Sequence, residues 1–140
     1  MPEFRFSTKI RPRFFDLDVY RHVNNSVYAT YCEEARVAYC RRLDIFQPGQ
    51  GKVGFVVSKA AFEFLSPVTL GEELEIFIRA QDLGRARFDF AYLMVSLDRD
   101  KTVFKGLTTC VCWDLARQKP APLAPRERGI ITEFEEGGRG

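Results

Sequence analysis

The sequence predicts an α+β protein in which one long helix lies across an antiparallel sheet. Three observations support this prediction. Between Ser26 and Leu43 the chain has its one long stretch of apolar residues at helical spacing. Five other stretches alternate apolar and polar residues or are rich in Val and Phe, which is typical of strands. Four of these five follow the helix and are separated by short turns, as in antiparallel sheets.

The first predicted strand covers residues 4–12, where Phe4, Phe6 and Ile10 alternate with charged or polar residues. Such a period of two with one polar face predicts a strand that is solvated on one side. Pro12 has no N–H to donate to a neighbouring strand, so it suits a strand end or a sheet edge.

The predicted helix follows a run of residues that commonly cap helices, and it covers residues 26–43. Its apolar residues fall on one face, at positions Val27, Tyr31, Ala35 and Ala38. Glu33 and Glu34 precede Arg41 and Arg42, an order that matches the helix dipole.

A break at residues 47–52 separates the helix from four strand-like stretches that we expect to form a meander. The stretches are Val53–Leu65, Leu74–Ala80, Ala86–Leu97 and Thr102–Leu115. Prolines, charges and glycines follow. We therefore assign residues 1–125 to a single domain and residues 126–140 to an irregular, flexible tail with disordered last residues.

Composition excludes several classes of protein. The 21 basic and 19 acidic residues give a net charge of +2, which argues against non-specific nucleic-acid binding. No apolar stretch approaches the length of a membrane span, and no signal peptide is visible, so we expect a cytoplasmic protein. A zinc site is not expected with one histidine and no C-x-x-C pair. The four cysteines are interpreted as reduced core residues: Cys32, Cys40, Cys110 and Cys112.

The polar loop before the helix carries the candidate chemistry. Asp16 and Asp18 stand at alternate positions, and His22, Asn24 and Asn25 follow. The start of a helix offers unpaired N–H groups that can hold a developing oxyanion. A nearby carboxylate can act as general base or nucleophile. Turn formation, helix capping and a structural histidine explain the same residues, and metal binding is a weaker alternative. The residues alone leave these alternatives open.

Three stretches resemble the 4-hydroxybenzoyl-CoA thioesterase-like hotdog family. Residues 15–28, FDLDVYRHVNNSVY, are similar to its signature. Residues 31–36, YCEEAR, are similar to its central helix, and residues 66–74, SPVTLGEEL, to its turn into the next strand. The resemblance covers residues 4–125. It implies a five-stranded curved antiparallel sheet wrapped around one long central helix, and acyl-CoA hydrolysis without a cofactor. It also implies homodimers, often stacked into tetramers, with active sites at the subunit interface.

The resemblance assigns the catalytic carboxylate to Asp18, as general base or as nucleophile. It implies that the start of the helix polarises the thioester carbonyl, with the candidate residues His22, Val23, Asn24, Asn25 and Tyr28. For the acyl pocket we name Tyr20 and Phe62, with Phe55 and Phe64 as further candidates. Two positions depart from relatives. Arg21 stands where many have Gly, and Tyr20 stands where plant acyl-ACP thioesterases have a catalytic Asn.

Three other functions remain compatible with the sequence. They are a hotdog dehydratase acting on hydroxyacyl thioesters, an acyl-ACP thioesterase and a non-catalytic acyl-thioester binding protein. An intact Asp18 argues against the last of these. The acyl group is left open among aromatic, short-chain and medium-chain substrates.

Overall fold

The computed structural model describes residues 4–137 of the chain. Two helices and six strands are connected by short loops and a single 3₁₀ turn at Phe14–Asp16. In chain order they are β1 Phe6–Ile10, α1 Val27–Leu43, β2 Val53–Phe64, β3 Leu74–Gln81, β4 Arg87–Ser96, β5 Lys101–Asp114, β6 Lys119–Pro120 and α2 Pro125–Glu136. Across these described residues, no helix has the length and apolar character that a membrane span needs.

The strands form one antiparallel sheet in the order β1-β3-β4-β5-β2, with β6 paired to the end of β5. The predicted meander is confirmed for β3, β4 and β5 but is wrong for β2. That strand crosses to the far side and pairs with β5 from Val53↔Asp114 to Phe64↔Phe104. Alternation identifies the two faces of a strand but not its neighbour. Strand β1 lies at one edge of the sheet, which is one of the positions that its sequence suits, and β2 forms the other edge.

The sheet and α1 enclose the core, as the sequence predicts. Strand β3 alternates strictly, with Leu74, Ile76 and Ile78 fully buried. Helix α1 contributes Tyr31 and Tyr39, which are 1% and 0% exposed. Burying each such large side chain stabilises the fold by about 1.5–3 kcal/mol. The predicted helix therefore forms because its apolar stripe covers this face of the sheet.

Two predicted counts need correction. The sheet has six strands rather than five, because the two-residue β6 adds to the end of β5. The chain also has a second helix, α2, where we predict an irregular tail. Pro125 occupies the first helical turn, where its missing N–H costs nothing, and Ile131 is 1% exposed. Phe134 packs on Tyr39 with ring centroids 5.9 Å apart.

Helix α2 escaped prediction because its apolar residues are few and lie among prolines and charges. Its docking uses a polar contact that no local pattern reveals. The Glu135 carboxylate accepts hydrogen bonds from the Tyr39 hydroxyl and from the Ala80 N–H on β3. The disorder predicted for residues 138–140 lies outside the described residues.

The four cysteines are free and buried, which confirms their interpretation as reduced core residues. They lie in two pairs on α1 and β5: Cys32, Cys40, Cys110 and Cys112. Burial raises the pKa of Cys32 and Cys40 to about 12, so their thiols stay protonated and unreactive near neutral pH.

Candidate active site

Asp18 sits at the start of a tight turn between β1 and α1. Its Oδ1 accepts hydrogen bonds from the N–H groups of Tyr20, at 2.9 Å, and His22, at 3.3 Å. Its backbone N–H donates to the His22 carbonyl at 2.8 Å. Arg21 closes the turn with φ 66°, in the left-handed region that favours glycine. A glycine would adopt this conformation without the steric cost of a Cβ atom.

Asp16 is held quite differently, although it is only two residues away. Its carboxylate is 3% exposed and accepts hydrogen bonds from the Arg13 N–H, at 2.8 Å, and the Tyr31 hydroxyl, at 2.7 Å. The Arg13 guanidinium approaches to 3.2 Å. Burial alone raises the pKa of Asp16. The hydrogen bonds from these donors lower the pKa by a larger amount, so it lies below its usual 3.8. Asp16 therefore ties the loop to α1.

The Asp18 turn is anchored on its other side by the loop between β2 and β3. The Val23 N–H donates to the Val68 carbonyl at 2.8 Å, and His22 pairs with Thr69 as an isolated antiparallel bridge. The turn therefore lies between α1 and the 66–69 segment rather than moving freely at the surface.

A depression of about 190 Å³ opens beside Asp18. It brings together four of the predicted residues, His22, Val23, Asn25 and Tyr28. The remaining lining residues come from the end of β2 and the loop after it: Phe64, Leu65, Ser66 and Pro67. A larger depression of about 710 Å³ lies on the opposite side and contains Phe14, Phe15, Leu17, Val19, Arg21, Thr69 and Leu70. Asp18 lines both, so the two depressions adjoin at this residue.

The backbone N–H groups that lead into α1 differ in whether they have an acceptor. The N–H groups of His22, Val23 and Asn24 donate to Asp18, Val68 and Asp16 respectively. For Asn25, by contrast, no hydrogen bond from its N–H to another described residue is present. The Asn24 side chain accepts from the Ser26 N–H and hydroxyl, each at 3.0 Å, so it acts as a turn and cap residue outside the depression.

Tyr28 forms the floor of the depression. It is 2% exposed, and its ring stacks on Phe104 at 5.1 Å and meets Phe64 edge-on at 5.3 Å. Burial, and then the charge of Glu72, raise the pKa of Tyr28 to about 12. Its hydroxyl therefore remains a donor at any physiological pH.

The predicted acyl-pocket residues are spread over the molecule. Phe62 packs on Phe64 and Phe104, next to the floor of the depression. Tyr20 is 77% exposed and lies outside the depression. Phe55 lines a separate cavity of about 430 Å³ towards the other end of α1. Phe62 and Phe64 are thus close to Asp18, whereas Phe55 is not among the residues around it.

Sequence reasoning missed the wall made by Ser66 and Pro67. These residues are recognisable from sequence only as a turn, and nothing local indicates that the turn faces Asp18. Among the described residues, no group of three or more His, Cys, Asp or Glu side chains could hold a metal ion.

Comparison with known proteins identifies the family of this chain. The profile of the Thioesterase-like superfamily matches residues 12–127. The chain is 32% identical over 128 residues to the long-chain acyl-CoA thioesterase FadM of Escherichia coli K12, covering 91% of this chain and 97% of that protein. A thioesterase of Thermus thermophilus, crystallised with coenzyme A and zinc, superposes with a TM-score of 0.83. It is 32% identical, with 96% of this chain and 98% of that chain covered.

A plant protein is a more distant relative. The chloroplastic acyl-acyl carrier protein thioesterase ATL3 of Arabidopsis thaliana is 26% identical over 136 residues, covering 96% of this chain and 70% of that protein.

Proposed function

The chain belongs to the thioesterase-like superfamily and has its hotdog fold, and we propose that it hydrolyses acyl-CoA to a free acid and CoA with Asp18 as the catalytic carboxylate. The observation that carries this proposal is the position of Asp18, where two surface depressions meet beside an N–H with no partner among the described residues. A thioester lying across that junction would place its carbonyl between the two groups.

Asp18 has one oxygen for positioning and one for chemistry. Oδ1 accepts two backbone N–H groups, whereas Oδ2 makes no hydrogen bond to a described residue. As general base, Oδ2 would take a proton from a water that attacks the carbonyl carbon. The tetrahedral intermediate then collapses, the C–S bond breaks, and the CoA thiolate leaves and is protonated. As nucleophile, Oδ2 would attack the carbon itself, expel the thiolate and form a mixed anhydride that water hydrolyses.

The Asn25 N–H is the best candidate for stabilising the oxyanion. It follows three residues whose N–H groups already have acceptors, and it precedes α1, whose first turn carries partial positive charge. The Tyr28 hydroxyl lines the same depression and stays protonated, so it can hydrogen-bond the substrate. In this proposal the role of the preceding residues is structural, because they form and anchor the turn that holds Asp18: His22, Val23 and Asn24.

Homodimers are the proposed minimal unit, with tetramers built from them. Strand β2 leaves twelve residues of sheet edge without a neighbour on one side, and such an edge favours pairing with another strand. Beside Asp18, Phe15 and Val19 are 92% and 90% exposed, which is unusual for such side chains. Both features are accounted for if a second copy covers them. Sedimentation velocity of the full chain tests this, and a monomer at micromolar concentration would contradict it.

The proposed carrier is CoA. Two relatives with 32% identity are named or crystallised with CoA, whereas the acyl carrier protein relative is more distant. Tyr20 stands where plant acyl-ACP thioesterases have a catalytic Asn, which also favours CoA over an acyl carrier protein. FadM is named for long-chain substrates, so long chains join the aromatic, short and medium groups as candidates. Four free, buried cysteines favour a reducing compartment, and we place the enzyme in the cytoplasm.

A hydrolysis panel tests the function. Thiol release is followed for straight-chain acyl-CoAs of increasing length, for aromatic CoA esters and for one acyl-ACP, and loss of water is followed for a 3-hydroxyacyl-CoA. Thiol release from one class of acyl-CoA is expected. Loss of water without thiol release would establish a dehydratase instead, and binding without either reaction would establish a non-catalytic protein.

A single turnover in ¹⁸O-labelled water, with enzyme in excess, tests for a nucleophilic Asp18 whose anhydride is hydrolysed at its own carbonyl. A general base directs water to the substrate, so the label appears in the released acid. A nucleophile whose anhydride is hydrolysed at the Asp18 carbonyl leaves the label in the enzyme and releases an unlabelled acid in the first turnover.

A further inference from the structure

An ion pair between the buried Glu72 and the more exposed Arg99 adjoins the 66–69 wall of the depression. Glu72 is 9% exposed, and its Oε1 lies 3.0 Å from both Nε and Nη2 of Arg99. The Ser96 hydroxyl donates to the same oxygen at 2.7 Å. Oε2 accepts from the Thr69 N–H, at 2.8 Å, and the Thr69 hydroxyl, at 2.9 Å. Every oxygen of this carboxylate therefore has at least two donors.

Arg99 extends the same network to the wall itself. Its Nη1 donates to the Ser66 hydroxyl at 3.0 Å, and its Nη2 donates to the Pro67 carbonyl at 2.8 Å. Ser66 and Pro67 both line the depression beside Asp18. A single guanidinium thus joins the start of β3, the turn after β4 and the loop after β2.

The network continues to Asp18 through backbone pairing. Thr69, held by Glu72, pairs with His22, and the neighbouring Val68 carbonyl accepts the Val23 N–H. The His22 N–H in turn donates to the Asp18 carboxylate. Each step is a direct hydrogen bond or strand-type bridge, so a shift at Glu72 has a short path to Asp18.

On this basis we propose that Glu72 and Arg99 are positioning residues of the thioesterase site, a role that rests on the proposed function of Asp18. They set the distance between the Asp18 turn and the Ser66–Pro67 wall. An ion pair with one buried and one exposed partner is a weak source of stability. Its ties to both sides of the depression provide a reason for it that stability alone does not.

The pKa of Glu72 is consistent with this role. Burial alone raises this pKa, but the hydrogen bonds from Thr69, Ser96 and Arg99 lower it by a larger amount. The pKa therefore lies below its usual value, and Glu72 is ionised at neutral pH.

Glu72→Gln and Arg99→Gln test the proposal by steady-state hydrolysis. We expect kcat to fall roughly tenfold to a hundredfold, with a smaller change in KM, because misplacing a reacting group acts on the chemical step. The loss of kcat in the double variant should be smaller than the product of the losses in the two single variants, because either substitution already breaks the network. Glu72→Asp, which keeps the charge, should recover part of kcat.

Glu135→Gln is the matched control. It also removes a half-buried carboxylate that bonds a tyrosine hydroxyl and a backbone N–H, but it lies on α2 and away from the depression. We expect it to lower the melting temperature and leave kcat unchanged. If Glu72→Gln loses stability like the control and keeps kcat within about twofold of the unmodified enzyme, the network is only structural and the proposal is overturned.

Amide hydrogen exchange gives a readout that does not depend on turnover. The Val23 N–H should exchange about tenfold faster in Glu72→Gln, and at its original rate in Glu135→Gln, because local opening follows the broken ties. Equal rates in both variants would overturn the proposal. If Glu72→Gln fails to fold, Ser96→Ala replaces it in both measurements, because this variant removes only one hydrogen-bond donor to Glu72. An unmodified enzyme that hydrolyses no thioester would overturn the proposed function, while exchange would still decide the positioning role.

Discussion

Asp16 and Asp18 lie two residues apart in one loop, yet they stand in opposite environments. Asp16 is buried, and both of its oxygens accept hydrogen bonds from the Arg13 N–H and guanidinium and the Tyr31 hydroxyl. Asp18 is half-buried, lines two depressions and has one oxygen without a hydrogen bond to a described residue. One carboxylate holds the loop in place, and the other is presented by it.

Under the proposed function, this difference separates a structural carboxylate from a catalytic one. A carboxylate whose oxygens are all occupied cannot take a proton from water without breaking its bonds. A carboxylate that accepts no hydrogen bond is not held at a defined position. Asp18 satisfies both needs because Oδ1 closes the turn while Oδ2 stays available.

The largest expected effect is on activity, at Asp18. Asp18→Asn keeps an Oδ1 acceptor for the turn and removes the base or nucleophile, so kcat should fall by about 10²–10⁴-fold or more while the fold is kept. The measurement is thiol release from the best acyl-CoA, with circular dichroism and sedimentation as controls for folding and assembly. Near-normal turnover would end the catalytic assignment of Asp18, and loss of folding would make it a turn residue like Asp16.

Asp16→Asn should act on stability instead. It replaces a charged acceptor of three donors by a neutral amide, and hydrogen bonds to charged groups contribute about 1.5–3 kcal/mol each. We expect the free energy of unfolding to fall by about 2 kcal/mol in urea denaturation at neutral pH. A variant with unchanged stability and greatly reduced kcat would reverse the roles given to the two carboxylates.

The pH dependence of stability sharpens the contrast further. The pKa of Asp16 in the folded protein lies below its usual 3.8, so its ionised form stabilises the fold above that pH. This contribution is lost as the pH falls through the folded-state value. The stability difference between the unmodified protein and Asp16→Asn should therefore be greatest near neutral pH and shrink below about pH 4. A difference that grows on acidification would contradict the assignment.

The smallest expected effect concerns the turn that presents Asp18. Arg21 has a positive φ, which costs a non-glycine residue about 1 kcal/mol. Arg21→Gly should raise the free energy of unfolding by at most that amount, because the more flexible glycine chain offsets part of the gain. Thermal unfolding of the two proteins measures the change. A clear loss of stability would show that the exposed Arg21 side chain contributes contacts of its own.

Much of the site was predictable because its signals are local. The Asp-x-Asp loop and the helix start after Asn24 are adjacent in the chain, so spacing alone brings them together. The resemblance of residues 15–28 then singled out Asp18, and the depression contains four more residues named with it, His22, Val23, Asn25 and Tyr28. The wall at Ser66 and Pro67 was not predictable, because it reaches Asp18 only through the pairing of Val23 with Val68.

The sequence by itself determined helix α1, the five long strands and the inward face of strands such as β3, because hydrophobic period depends on neighbours along the chain. Only the tertiary structure decided that β2 pairs with β5 and that α2 docks through Glu135. It also decided that both oxygens of Asp16 accept hydrogen bonds, whereas Oδ2 of Asp18 accepts none from a described residue. These outcomes depend on hydrogen bonds between residues distant in sequence. Local spacing offers several partners for each such bond, and packing selects one.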